Sequence, residues 1–135
     1  MKTYDKIQSF RTDYPADPRG MALEAAWHMG IVRKAGKNSE KWFGASLAEG
    51  QRLYVQAVKA NPNDILVVTN YAMSLLVLNA ADYAEKARSS LEAVIKATPS
   101  TDLERKIQMR AKEVLVSYED PKRVEKLAAK FLDGK

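Results

Sequence analysis

The chain has no cysteine and only one histidine in 135 residues. Without cysteine there is no disulfide framework, thiolate nucleophile or zinc-thiolate site. A lone His28 also excludes any metal site built on paired histidines. Long apolar runs are missing too. The longest, Ile65 to Leu78, is interrupted by Thr69, Asn70 and Ser74 and falls short of the roughly 20 residues that cross a bilayer. The first eleven residues carry Asp5, Lys6 and Gln8 where an export signal needs an apolar block. A cytoplasmic protein is therefore expected, unless a signal has been removed. No Gly-x-Ser-x-Gly elbow or calcium loop occurs. The stretch Gly30 to Asn38 looks like a phosphate loop at first sight. However, five residues rather than four separate Gly30 from Gly36, Asn38 stands in place of the magnesium-binding hydroxyl, and no strand precedes it. The expectation is a protein that is not an enzyme and that holds no cofactor and no metal.

The residues that are present describe one ordinary globular chain. A length of 135 residues suits a single domain that buries roughly two-thirds of its unfolded surface. The net charge is +5, but it is unevenly spread. Residues 42–100 carry five basic and five acidic side chains, and residues 101–135 carry nine and seven. The excess is concentrated at Arg33, Lys34, Lys37 and Lys41, opposed by Glu40. This cluster is the alternative site, suited to nucleic acid or another anionic surface. A solvated surface accounts for it more simply.

Helix signals divide the rest. Asp17 before Pro18 and Asp120 before Pro121 each set a capping acceptor ahead of a proline suited to the first helical turn. Ser46 with Glu49, Asp82 with Glu85, and Thr101 with Glu104 have the capping-box spacing. Asn63 or Asp64 caps another start after Pro62. The predicted helices run from Pro18 to Ala35, Ser46 to Ala60, Asp64 to Leu78, Asp82 to Lys96, Thr101 to Tyr118 and Pro121 to Leu132. A half-hairpin precedes them at Tyr4 to Asp13. The β-branched Ile65 to Val68 run continues as Tyr71, Ala72, Leu75 and Leu76, a helical period, so no sheet is expected.

A repeat underlies this pattern. Tyr54, Ala57, Ala60, Asn61 and Pro62 recur 37 residues later as Leu91, Val94, Ala97, Thr98 and Pro99. A period of that size marks a helical array. With Asn70-Tyr71-Ala72, Asp82-Tyr83, Ala87, Leu91 and Pro99 in the central unit, the chain resembles the tetratricopeptide-repeat family. Trp27, Met29, Gly30, Gly50, Tyr54, Ala57 and Pro62 carry the resemblance in the unit before. Ala111, Tyr118, Val124, Leu127, Ala128 and Phe131 carry it more loosely in the unit after. The resemblance implies an all-α fold, an α-α superhelix of stacked antiparallel hairpins. It would form one domain with a half-unit at 1–16 and units at about 17–62, 63–99 and 100–135. Gly30, Ala72 and Ala111 would let each first helix approach its own second helix, and Gly50 and Ala87 would receive the next first helix. An ordinary antiparallel bundle also uses alanines at helix contacts, and its core would close on itself and leave no continuous groove.

The function this implies is a protein-interaction scaffold, of adaptor or chaperone type, that binds a peptide or partner segment in a concave groove. The groove would be lined by Trp27, His28 and Ile31, then Leu66, Thr69, Asn70 and Met73, then Arg105, Gln108, Met109 and Lys112. Its mixture of apolar and cationic groups suits an acidic, partly apolar peptide. A carboxylate clamp of the kind some family members use is not expected, because only Asn70 stands where one would need it. Open array ends would also permit a homodimer. The link between Ala35 and Ser46 is longer than the family's turn and contains Trp42 and Phe43. Phe43, Leu47, Gly50 and Tyr54 keep helical spacing, so the second helix is expected to begin near Ser39 and to bury Phe43, rather than to expose both aromatics to a partner.

Overall fold

The structure, a computed structural model, describes residues 2–134. Among these residues there are helices and turns but no strand, as an all-α fold requires. The helices are α1 (Lys2–Asp13), α2 (Pro18–Ala35), α3 (Ser39–Phe43), α4 (Leu47–Ala60), α5 (Ile65–Asn79), α6 (Ala84–Lys96), α7 (Asp102–Val116) and α8 (Pro121–Leu132), with a 3-10 turn at Gly36–Asn38. No described helix is long and apolar enough to cross a membrane.

Most helices start where a side chain can accept a free backbone N–H. Asp17 accepts from Arg19 at 2.9 Å, Asp64 from Val67 at 3.1 Å, and Asp120 from Arg123 at 3.2 Å. Ser46 accepts from Glu49 at 3.2 Å, and Thr101 from Glu104 at 3.1 Å. Each such cap stabilises its helix by about 1 kcal/mol. The reciprocal half of the capping box is rerouted. Glu104 accepts from the backbone and hydroxyl of Ser100, both at 2.7 Å, which holds its carboxyl below the usual range. Glu49 turns to Arg52 instead. Asp82 caps nothing in α6, which starts at Ala84 without a side-chain cap. It forms a pair of hydrogen bonds with the Asn79 side chain at the end of α5.

The helices gather into two compact units, Met1–Pro62 and Asn63–Lys135. In the first, α2 packs against α1 and more extensively against α4. Ala25, Met29, Leu53, Tyr54 and Ala57 form its core. Gly50 permits the close approach of α4 to α2, because a Cβ there would lie 2.8 Å from Met29 Cγ and 3.1 Å from His28 Cβ. Gly50 therefore serves its own hairpin rather than a following helix. Gly30, expected to do this, has nothing within 4 Å of its would-be Cβ.

In the second unit α5 is buried on nearly every side, with Ile65, Val68, Thr69, Tyr71, Ala72, Met73, Ser74, Leu75 and Leu76 all inside. It packs against α6 and α8 and also touches α7. The stripe Val124, Leu127 and Ala128 is the buried face of α8. Glu125 accepts the Ala80 N–H at 3.4 Å and ties the start of α8 to the end of α5. The helices α6, α7 and α8 thus close around α5, whereas an open stack would place α8 on α7 and leave α5 one free face. The reason is hydrophobic. A helix that is apolar all round needs neighbours all round, and α8 supplies the last of them.

Candidate functional site

Closure of the second unit decides the fate of the expected groove. Thr69 and Met73 are fully buried on α5, so neither can line a binding surface. Leu66 is exposed and Asn70 half-buried on the same helix. In the first unit His28 is buried. Its Nδ1 accepts the Ser46 N–H at 3.0 Å, and its Nε2 lies 3.6 Å from Glu24. His28 thus takes the N–H that a capping-box acid would take and anchors the start of α4. Trp27 is half-buried and packs against Tyr4 of α1, with ring centroids 4.5 Å apart and the rings tilted by 49°, while Ile31 is also half-buried. Gln108, assigned to the groove, instead donates to the carbonyls of Val94 and Ala97 at 2.9 and 2.7 Å. It serves as the C-terminal cap of α6.

Thr69 offers a direct check on this correction. Its hydroxyl is buried and finds no hydrogen-bond partner among the described residues. An unpaired buried hydroxyl costs about 1–3 kcal/mol. Thr69→Val keeps the shape and removes that cost, so it is expected to raise unfolding free energy by about 1 kcal/mol in urea titration. Destabilisation of that size would show that the hydroxyl has work to do.

Part of the expected set does come together. Met109 and Lys112 line a cleft of 440 Å³ between α7 and α8, with Glu113, Val116, Arg123 and Leu127. The periodicity of α7 explains this. Ile107, Ala111 and Val114 face inward, which turns Met109, Lys112 and Val116, at i, i+3 and i+7, outward along one stripe. Met109 is 63% exposed and Val116 87% exposed, while Leu127 forms a buried apolar wall. Glu113 lies 3.8 Å from Arg110. The ion pairs among the described residues give neither Lys112 nor Arg123 a carboxylate partner. Arg105, further along α7, is already paired with Asp102 at 2.7 Å. Val116, Arg123 and Leu127 were not among the expected residues. The exposure of Val116 in an otherwise amphipathic helix was the available signal.

The basic alternative also has a definite location. Arg33 and Lys34 end α2, Lys37 lies in the 3-10 turn and Lys41 in α3. The expectation that Phe43 is buried in a helix continuous with α4 is overturned. Gly44 adopts φ 69° and ends α3, so the Phe43 to Leu47 spacing never becomes a helical stripe. Trp42 is 63% exposed and Phe43 42% exposed.

Among the described residues no group of three potential metal ligands occurs. Compared with known proteins, the chain matches no family model, no curated protein and no solved structure.

Proposed function

We propose that this protein is a non-enzymatic docking module that binds a short, acidic and partly apolar segment of another protein in the α7–α8 cleft. The observation that carries this reading is the pairing of two exposed apolar side chains, Met109 and Val116, with two cations, Lys112 and Arg123, around one cleft. Solvated surfaces scatter single apolar residues. A stripe of them beside unpaired cations suits the apolar face of a helical or extended segment with carboxylates at its margin. The resemblance to tetratricopeptide hairpins belongs to the same proposal. Each within its own unit, α2–α4 and α5–α6 would be hairpins of that type, and the closing of α8 onto α5 would leave the α7–α8 cleft as the place for the ligand.

The test is fluorescence anisotropy with labelled peptides that carry Leu or Phe at i and i+4 flanked by Asp or Glu. Met109→Ser and Lys112→Glu are each expected to weaken binding roughly tenfold, the scale of a central apolar anchor or a charged contact. Both side chains are exposed, so thermal unfolding should stay put. Equal affinities for the original protein and both variants would remove this cleft from the function.

A further inference from the structure

The connection between α2 and α4 holds an apolar wedge outward, and the local geometry shows that this is built in. Ser39 is buried, and its single hydroxyl proton points to the carbonyl of Gly36, with the carbonyl of Ile31 further off at 3.3 Å. At the other end Ala45 is 1% exposed. There the N–H groups of Gly44 and Ala45 return to Glu40 and Ser39 at 2.9 and 3.2 Å. This closure of the last turn satisfies the free carbonyls of α3. A turn anchored at both ends leaves its middle no route inward. Lys41, Trp42 and Phe43 therefore project into solvent, with the two rings edge to face at 6.5 Å and 83°.

The charge around the wedge selects its counterpart. Lys34, Lys37 and Lys41 are all exposed, and Glu40 is the one acid between residues 33 and 44. We infer that this connection docks the protein reversibly on an anionic lipid surface, with Trp42 and Phe43 inserted at the level of the headgroups and the lysines against the lipid phosphates. Aromatic side chains favour that interface, and basic residues next to them add about 1 kcal/mol each, close to fivefold in partitioning. A nucleic-acid partner fits less well. Edge-to-face rings offer no pair of parallel platforms for successive bases, and Phe43 brings no polar group to read one. This inference is independent of the α7–α8 cleft, since no residue is shared.

The experiment is co-sedimentation of the full chain with phosphatidylcholine vesicles, with and without about 30% phosphatidylserine. The protein is expected to pellet with the anionic vesicles and to remain in the supernatant with neutral ones. The double variant Trp42→Ala, Phe43→Ala and the double variant Lys37→Glu, Lys41→Glu should each lower partitioning by about tenfold or more. Met109→Ser should leave it unchanged. Trp42→Phe should retain binding but lose the blue shift of tryptophan emission on anionic vesicles, because Trp27 is already packed on Tyr4. Circular dichroism on every variant separates loss of docking from loss of fold. Equal partitioning onto neutral and anionic vesicles would overturn the inference. So would sedimentation untouched by both double variants. A single-stranded RNA oligonucleotide that displaces the protein from vesicles, and whose binding survives removal of both aromatics, would reassign the lysines to nucleic acid.

Discussion

Replacing Ala128 by Asp is expected to lower the unfolding free energy by about 3–5 kcal/mol, the cost of an uncompensated buried charge. Ala128 is fully buried on the inward stripe of α8, where a carboxylate meets neither water nor a designed partner. The informative part is where the loss appears. In an open stack a damaged terminal helix frays alone, because each repeat depends only on its neighbours. In the closed unit α5 owes much of its burial to α8 and should lose protection with it. Amide hydrogen exchange on Ala128→Asp, or on the milder Ala128→Ser, distinguishes the two. Faster exchange along Val68 to Leu76 supports closure, and exchange confined to α8 contradicts it.

A second large effect is expected at Glu24. This carboxylate is 6% exposed, accepts from Arg11 at 2.9 Å and from Gln8, and faces His28 Nε2. Burial alone raises its pKa, but the hydrogen bonds from Arg11 and Gln8, with the charge of Arg11, outweigh it and hold the group below the usual carboxylate range. Glu24→Ala removes the acceptor shared by α1 and α2. Arg11 is 29% exposed and can rehydrate, so the loss is set at about 2–3 kcal/mol rather than the extreme for a sealed pair. The sign of the pH dependence follows. A carboxyl with a depressed folded pKa contributes stability that is complete above its ordinary value of 4.5 and is lost as pH falls through the folded value. Urea titrations at neutral pH and well below pH 4.5 should therefore show the gap between the original protein and Glu24→Ala narrowing in acid. A gap that is constant with pH would mean that the carboxylate's charge contributes nothing.

The first unit illustrates how local and distant information divide. Asp17 and Ser46 announce helix starts because a cap is a contact between residues two or three apart, visible in sequence. The loss of Glu49 from its box was not visible. His28, eighteen positions earlier, occupies the Ser46 N–H, and Glu49 is left to Arg52. The exposure of Trp42 and Phe43 was likewise hidden. It depends on one backbone angle at Gly44, and a periodic pattern of side chains is blind to a break in the backbone that carries it. The same limit applied to the site. Met109 and Lys112 are exposed on α7, as a groove requires, but Thr69 and Met73 are buried on α5, which an all-apolar helix does not reveal until its neighbours are in place.

By itself the sequence determined which segments are helical, where most of them start and which stripe of α7 and α8 turns inward, because caps, prolines and a 3.6-residue period act within a few turns of one chain. Only the tertiary structure decided which helix each stripe meets. An apolar face specifies that it must be covered, since burial is non-directional, and it does not specify by what. The meeting of α8 with α5 belongs to that second class, as does the burial of Thr69 and Met73.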